Sequence, residues 1–253
     1  MQKSITSIIF ALALGCSGLA FGAGGVVPLP KQQWSSDGLF GTFDRGALQR
    51  GFQVYNEVCA GCHSLRLVAY RNLIDIGFTE DQVKKIAASK TVKDGPNDQG
   101  EMFERPGKPS DRFVMPFPNK QAARAANNGA YPPDLSLMVK ARMGSSDYLF
   151  GLLTGYKDSP KGVKVPEGMY YNQYYPGHLI AMPSPLADGS VEYADKTKAT
   201  VNQMAKDVTA FLAWTAEPEM EDRKRIGIKV LLFLIILTGM LYAIKRKIWS
   251  DIH

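Results

Sequence analysis

Cysteine and histidine are both scarce in this chain of 253 residues, which contains three of each. A structural zinc site needs four protein ligands, and few combinations of these residues could supply them. Cys16 lies in an apolar N-terminal segment, so no disulfide is expected if that segment is removed as a leader. Although these residues are few, two of the cysteines and one of the histidines fall within a single pentapeptide, Cys59-Ala60-Gly61-Cys62-His63.

The C-x-x-C-H spacing is the one that attaches a haem covalently through two thioethers. Cys59 and Cys62 would reach the two vinyl groups of one porphyrin, and the next residue, His63, would bind the iron. A thioredoxin-like dithiol would follow a strand, and no Val/Ile-rich strand precedes Cys59. Zinc would need the distant His178 and two adjacent ligands. We therefore predict one covalently bound haem c per chain.

An excess of basic residues is missing from the central part of the chain. The net charge of the whole sequence is +6, yet residues 23–222 hold 22 lysines and arginines against 23 aspartates and glutamates. The basic excess lies around the two apolar ends, where it suits a leader and a membrane anchor. A nucleic-acid partner is therefore not expected.

The N-terminal segment is typical of a bacterial secretory signal. Residues 1–22 begin with Lys3, continue through apolar residues 8–14 and end in small residues. The Arg-rich character of a mitochondrial transit peptide is missing. Lipoprotein processing at Cys16 is an alternative, although the preceding leucine stands one position too late. We expect a signal peptide over residues 1–22 and an exported, periplasmic domain over residues 23–222.

A second apolar run, residues 226–244, is long enough to cross a lipid bilayer. As a helix these residues would span about 28 Å, and their one charge, Lys229, stands in the first turn, from which it can reach the interface. Both flanks are basic, so the charges leave the orientation open. The secretory leader decides it. Residues 223–253 are predicted to form a transmembrane anchor with a short cytoplasmic tail.

Helical periodicity is clear in two segments of the exported part, residues 44–58 and 200–215. The first runs directly into the haem motif, and Gly51 allows a close approach by another helix. A capping box formed by Thr79 and Gln82 predicts a third helix, and residues 134–143 and 146–153 are further candidates. Residues 89–133 and 156–198, rich in glycine and proline, are predicted to be loops that wrap the haem.

Taken together, these segments resemble the cytochrome c1 family over essentially the whole mature chain. Besides the haem motif, the resemblance rests on Arg50-Gly51-Phe52-Gln53-Val54-Tyr55, Asp94-Gly95-Pro96-Asn97, Arg105-Pro106-Gly107-Lys108, Asn128-Gly129-Ala130-Tyr131-Pro132-Pro133-Asp134-Leu135-Ser136, Leu153-Thr154-Gly155-Tyr156, Met182 with its following prolines, Ala216-Glu217-Pro218-Glu219 and the C-terminal span. It implies an all-α, class I cytochrome c domain with long haem-wrapping loops and one C-terminal transmembrane helix.

The resemblance also implies a function. The chain would be the haem subunit of a bacterial cytochrome bc1 complex (ubiquinol–cytochrome c oxidoreductase) in the inner membrane, in a respiratory or photosynthetic chain. It would take one electron from the Rieske iron–sulfur protein and pass it to a soluble or tethered cytochrome c, while cytochrome b handles the quinol. The isolated chain would perform no bond-making catalysis.

The sixth iron ligand is not fixed by spacing. Met115 and Met182 both precede a proline in a proline-rich loop, which suits rigid presentation of a thioether, and His178 is a third candidate. The resemblance places the ligand at Met182. It also implies that Arg142, on a helix, pairs with a haem propionate, and that the haem crevice is lined by Tyr131, Pro132 and Pro133.

An acidic segment in the first long loop is a candidate docking surface for a basic cytochrome c. Its members are Asp94, Asp98, Glu101 and Glu104. A second functional hypothesis is an anchored cytochrome subunit of a terminal oxidase or nitric oxide reductase, although the family-specific loops disfavour it. A diheme peroxidase would need a second C-x-x-C-H motif, and the sequence has one.

Overall fold

The computed structural model describes residues 28–250. The predicted signal peptide over residues 1–22, with Cys16, lies outside the described residues. In chain order the elements are α1 (Arg45–Val54), a π-helix (Tyr55–Cys59), a 3₁₀-helix (Tyr70–Ile76), α2 (Glu80–Ala88), β1 (Thr91–Asp94), β2 (Phe103–Pro106), α3 (Lys120–Ala126), α4 (Ser145–Thr154), β3 (Tyr170–Tyr171), β4 (Leu179–Ile180), α5 (Val201–Ala216) and α6 (Met220–Trp249).

Three helices begin where local side-chain chemistry predicts. The Thr79 hydroxyl accepts from the Gln82 amide and the Gln82 side chain accepts from the Thr79 amide, which completes the predicted capping box of α2. Thr200 caps α5 in the same way by accepting from the Gln203 amide, and the Asp44 carboxylate accepts two amides at the start of α1. Each cap satisfies amides that the helix itself leaves without acceptors.

Two predictions of local structure need correction. Residues 134–143 form successive turns instead of a helix, because the Asp134 carboxylate accepts from the distant Arg66 amide and from the Ser136 amide. The segments predicted as loops contain α3 and two antiparallel ribbons, in which β1 pairs with β2 and β3 with β4. The domain is helix-rich, as predicted, but it also contains β-structure.

Helices α1 and α5 cross at Gly51, and their contact forms the centre of the core. A Cβ atom at Gly51 would lie 2.1 Å from the Asp207 carbonyl oxygen and 2.7 Å from the Phe211 Cβ. Phe52 packs edge-on against Phe211 with ring centroids 5.8 Å apart. The glycine therefore permits the close approach that the sequence predicts.

An ion pair joins the same two helices beside the glycine. Arg50 donates from Nε to the Asp207 carboxylate at 2.9 Å and from its other nitrogens to Asp207 and Asp195. The Asp207 side chain is 1% exposed, so its charge is satisfied by the guanidinium and by Gln203. These hydrogen bonds, of which those to Asp207 have the largest effect, outweigh burial, raise the pKa of Arg50 and keep it charged.

The crossing predicts a large effect for a small substitution. Gly51→Ala should destabilise the domain by about 3 kcal/mol or more, because the added methyl meets backbone that cannot rotate away. Gly46→Ala, on the same helix, is the matched control, since its Cβ would contact only the ends of the Asp44 and Arg50 side chains. Denaturant unfolding of the holoprotein measures both. Equal stability of the two variants would contradict the packing argument.

Helix α6 has the length and composition of a membrane anchor. Among the described residues it is the one helix apolar enough to cross a bilayer, with a mean hydropathy of 2.3 over its most apolar stretch. Most of its large apolar side chains from Ile226 onward are exposed in the isolated chain. The helix begins at Met220, which is buried in the domain core, so the predicted boundary between residues 222 and 223 falls inside a continuous helix.

Candidate haem site

The haem motif follows a π-helix at the end of α1. The Ala60 amide donates to the Tyr55 carbonyl at 2.8 Å, and the His63 amide donates to the Cys59 carbonyl at 2.9 Å. Cys59 ends the π-helix and Cys62 stands in the following turn, and both thiols are free. Burial raises the pKa of Cys59 to about 12, so this thiol is protonated at neutral pH before any attachment.

The His63 ring is held by a backbone group. Its Nδ1 lies 2.8 Å from the Pro133 carbonyl oxygen, which can accept only if Nδ1 carries the proton. Nε2 is then the unprotonated nitrogen, the form that binds a metal. Burial lowers the pKa of His63 despite the opposing effect of the Pro133 carbonyl, so the ring is neutral at pH 7. The Tyr55 hydroxyl fixes the backbone by donating to the His63 carbonyl at 3.0 Å.

Asp134 links the segment that follows His63 to the segment that follows Pro133. Its carboxylate accepts from the Ser64 hydroxyl at 2.7 Å and from the Arg66 amide at 2.9 Å, while the Leu135 amide donates to the Ser64 carbonyl at 2.9 Å. Burial would raise the pKa of Asp134, but these hydrogen bonds and those from Ser136 outweigh it and lower the pKa. The charged carboxylate therefore holds the Pro133 carbonyl opposite the imidazole.

Removing this charge should loosen the site without removing any predicted haem contact. We expect Asp134→Asn to cost about 1–3 kcal/mol of unfolding free energy, because the Ser64, Arg66 and Ser136 donors lose a charged acceptor. Asp158→Asn is the control, since Asp158 is exposed and has no hydrogen bond among the described residues. Denaturant unfolding of both holoproteins is the measurement. Wild-type stability in Asp134→Asn would show that the carboxylate does not hold the segments together.

An open cleft of about 180 Å³ lies beside the haem motif. It is lined by Cys62, Ser64, Met115, Pro116, Phe117, Pro118, Asn119, Lys120, Ala123, Tyr131 and Pro132. The predicted crevice residues Tyr131 and Pro132 thus stand next to a haem cysteine. The Lys120 ammonium and the Arg124 guanidinium lie 5.7 and 5.9 Å from the Tyr131 ring centroid, which places two cations at the cleft edge.

The candidates for the sixth ligand lie in different places. Met182 is half-buried just after β4, and its carbonyl accepts from the Tyr156 hydroxyl at 3.0 Å. Met115 lines the cleft and is 54% exposed. His178 stacks on Tyr171 at 5.6 Å and its Nδ1 lies 3.3 Å from the Asn172 carbonyl. Of the two methionines, Met182 therefore has the more restrained backbone. Its assignment as the sixth iron ligand stays a prediction.

Arg142 is not on a helix, contrary to the expectation, but in the turn that precedes α4. The turn replaces a helix because residues 134–136 are held by the haem-motif segment. Arg142 is exposed and donates to the Ala141 carbonyl at 3.1 Å. Its charge also opposes the effect of burial on the pKa of Tyr148. The guanidinium therefore has further N–H donors that can bind another acceptor. Its pairing with a haem propionate remains a prediction.

The chemistry of these donors fits a covalently attached haem. A neutral imidazole with a free Nε2, two thiols three positions apart and an adjacent open cleft are what thioether attachment and proximal ligation require. A metal held by side chains alone has little support, because the described residues contain no cluster of three or more histidine, cysteine or acidic side chains suited to it.

Family comparison agrees with this donor set. The model of the cytochrome C1 family matches residues 34–252. The chain belongs to the cytochrome c1 family. Membership in the cytochrome c1 family makes this a haem protein of electron transport, with α6 as its membrane anchor.

Similar proteins occur in bacteria and in plants. The chain is 49% identical to cytochrome c1 of Rhodospirillum rubrum over 268 aligned positions, which cover 100% of this chain and 98% of that protein. It is 53% identical to cytochrome c1-2 of Solanum tuberosum mitochondria, over 87% of this chain and 85% of the relative. A Bradyrhizobium diazoefficiens protein named cytochrome b/c1 is 53% identical over 88% of this chain, which spans 36% of that relative's length.

Three further residues of this cytochrome c1 site are not evident from the sequence. Asp134 and Ser136 fix the segment that carries the Pro133 carbonyl, since Ser136 also accepts from the Leu67 amide at 3.1 Å. Tyr156 fixes the Met182 loop from the end of α4. The proline pair before Asp134 is a usable signal, because prolines leave the carbonyl as the one polar backbone group.

Proposed function

We propose that this chain is the haem subunit of a bacterial cytochrome bc1 complex, and that it relays one electron from the Rieske iron–sulfur protein to a soluble or tethered cytochrome c. The observation that carries the proposal is the geometry of His63, whose Nδ1 is committed to the Pro133 carbonyl. An imidazole restrained in this way suits an iron ligand that stays in place through many redox cycles.

The chain's residues hold the cofactor, orient it and close its axial positions. A bound haem supplies an iron that alternates between the ferric and ferrous states. Cys59 and Cys62 would tether the haem at the end of α1, and His63 and Met182 would hold its iron. With the iron held by both residues, oxygen and peroxide would find no open site on it. A neutral imidazole and a thioether also favour the ferrous state.

The remaining predicted residues shape the surroundings of the haem. Tyr131, Pro132 and Pro133 line the crevice, and the fixed φ of the prolines keeps this wall in place. Arg142 pairs with a propionate from the turn before α4. The structure supports the crevice role through the cleft that Tyr131 and Pro132 share with Cys62.

The proposed topology puts the haem domain, residues 23–222, in the periplasm and the end of α6 in the cytoplasm. Cytochrome b is the proposed partner within the membrane, and a relative whose name joins cytochrome b with c1 supports it. The exposed apolar side chains of α6 offer the surface for lipid and for cytochrome b. Cytochrome b would handle the quinol, leaving this chain without bond-making chemistry.

The function is tested by purification and by pre-steady-state reduction. A tagged form of this chain should co-purify with cytochrome b and a Rieske protein, and quinol should reduce its haem in that assembly. Removal of the Rieske protein should stop the reduction while leaving haem content unchanged. Co-purification with oxidase or nitric oxide reductase subunits instead would favour the alternative function and refute this one.

The proposed docking surface for the acceptor needs one revision. Asp94 is paired with Arg105 across the β1–β2 ribbon, and Arg105 also donates to Asp111 at 2.7 and 2.9 Å. The hydrogen bond from Arg105 lowers the pKa of Asp94, but it also neutralises the charge. Asp98, Glu101 and Glu104 are exposed and make no side-chain ion pair within the described residues. These three carboxylates remain available to attract a basic cytochrome c.

Charge reversal at Asp98, Glu101 and Glu104 should slow association with a basic cytochrome c at least about tenfold at low salt. The salt dependence of the rate should weaken as well, since steering charges are removed. Lysine at Asp75, Asp158 and Glu167 is the matched control with the same change in net charge. Stopped-flow reduction of the acceptor at several ionic strengths measures both. Equal slowing in the control would assign the effect to net charge instead of to this surface.

A further inference from the structure

The loop of residues 36–41, which precedes α1, carries two strongly exposed apolar side chains. Phe40 is 79% exposed and Leu39 is 59% exposed. Neither packs into the core described above, and no function proposed so far uses them. Exposed adjacent large apolar residues on a loop commonly mark a contact surface. Their position relative to α6 indicates what that surface contacts.

The loop is tied to the start of the membrane helix by Lys224. The Lys224 ammonium donates to the Ser36 carbonyl at 2.7 Å and to the Gly41 carbonyl at 3.0 Å, so it closes the loop at its base. A Cβ at Gly41 would lie 2.0 Å from the Asp37 carbonyl oxygen, which shows how tightly the loop is folded. Leu39 and Phe40 therefore project from a closed turn.

The order of contacts along α6 gives the direction in which the loop points. Glu221 accepts from the Phe43 amide at 2.7 Å and from both terminal nitrogens of Arg45. Lys224, which holds residues 36 and 41, lies three residues further along the helix, or about 4.5 Å nearer the apolar run. From Arg45 back to Gly41, the chain is therefore held at points progressively nearer the apolar run, and the loop with Leu39 and Phe40 is closed at the nearest of them.

The loop is also fixed from its other side. The Trp34 indole donates to Asp147 in the first turn of α4 at 3.0 Å, and the Ser35 hydroxyl accepts from the Asp44 amide at 3.1 Å. The two ends of the loop are therefore held to the domain and to α6 at once. The loop is therefore held at a fixed position beside the start of the span at Ile226.

We propose that Leu39 and Phe40 insert into the interfacial region of the lipid bilayer beside α6, as a second membrane contact of the haem domain. Apolar and aromatic side chains at the boundary of the headgroups and acyl chains are the usual content of such contacts. Two cations at the start of α6 are already engaged, since Arg225 pairs with Asp222 and Lys224 holds carbonyls. The contact is therefore apolar in nature. The inference rests on α6 crossing the bilayer.

Spin labels at single cysteines test the insertion. Leu39→Cys and Phe40→Cys are labelled in the full-length holoprotein with Cys16→Ala, reconstituted into phosphatidylcholine vesicles. Collision rates with oxygen, which concentrates in lipid, are compared with those of a water-soluble nickel chelate. Ile235→Cys, within the span, is the lipid control, and Val163→Cys, in an exposed turn, is the water control. The oxygen-to-nickel ratio at residues 39 and 40 should be several-fold above that at residue 163.

Each other outcome overturns the proposal in a distinguishable way. Aqueous ratios at residues 39 and 40 with a lipid ratio at 235 would refute the loop contact alone. An aqueous ratio at 235 would refute the anchor, and the loop contact with it. A label at residue 40 that is shielded from both reagents in the assembled complex would show that another subunit, not lipid, covers the loop.

The role of the tether is tested separately. Lys224→Met keeps the length of the side chain but removes its donors, so the label at residue 40 should become more mobile and move toward water. Lys229→Met is the matched control, since Lys229 makes no hydrogen bond or ion pair within the described residues. An unchanged signal in Lys224→Met would refute the positioning argument.

Discussion

Replacement of His63 by alanine is expected to abolish stable holoprotein. Attachment and proximal ligation both depend on one turn of chain, and the His63 imidazole is the group that the Pro133 carbonyl orients toward the site. Replacement of Cys59 or Cys62 should likewise leave little covalently bound haem. The haem content per chain and the visible spectrum of membranes that express each variant are the measurements.

His178→Ala is the matched control for this prediction. His178 is another half-buried histidine of the described chain, and it already stacks on Tyr171. Its replacement should leave haem content and spectrum unchanged. Normal haem attachment, potential and quinol oxidation in His63→Ala would refute the assignment of the proximal ligand, and loss of haem in His178→Ala alone would transfer that role to His178.

Substitution of Met182 by leucine should have the second large effect. Leucine keeps the bulk of the side chain but removes the sulfur donor, so the methionine–iron charge-transfer band should vanish. Each tenfold loss in the preference for ferrous iron lowers the potential by about 59 mV. The electron transfer from the Rieske centre would then become unfavourable and turnover of the complex would collapse. The opened axial position should also bind carbon monoxide, which a six-coordinate haem excludes.

Met115→Leu is the control, and it is a demanding one because Met115 lines the cleft next to Cys62. Optical spectra, redox titration and carbon monoxide binding are compared for the two variants. Met115→Leu should resemble the unmodified protein in all three. If Met115→Leu shows these changes and Met182→Leu does not, the sixth ligand is Met115.

The sequence predicts those parts of the fold that depend on neighbouring residues. The capping box of Thr79 and Gln82, the helical periodicity of residues 200–215 and the close crossing at Gly51 all follow from residues within a few turns, or from the size of one side chain. The helix predicted over residues 134–143 fails for the opposite reason. Asp134 is engaged by residues 64 and 66, about seventy positions away, and this pairing replaces the helix.

Other elements leave too little pattern to be predicted. The strands of the two ribbons have four or two residues each, which is too short for an alternation of apolar and polar residues to be distinguished. The π-helix continues α1 without a break, and helical periodicity alone does not distinguish one from the other. Arg105 stands in one of the segments that resemble the family, while its pairing with Asp94 and Asp111 depends on the register of a ribbon.

The same division holds within the site. Cys59, Cys62 and His63 are contiguous, and their spacing alone indicates haem. The group that orients His63 is a carbonyl, which every residue carries, so the sequence marks it only indirectly, through the proline pair before Asp134. The Tyr156 contact to the Met182 loop depends on how α4 packs beside a ribbon, which the sequence does not indicate.

The Pro133 carbonyl also determines how the site tolerates mutation. Every amino acid carries a carbonyl, so no point substitution at position 133 can delete the hydrogen-bond acceptor of His63. The orientation of His63 therefore does not depend on which side chain stands at position 133. That position can vary wherever the new residue keeps the same backbone path. Selection should act instead on Ser64 and Asp134, which hold that path. Position 133 can therefore change during evolution while the neighbouring Asp134 is kept, with the His63 ring oriented in the same way.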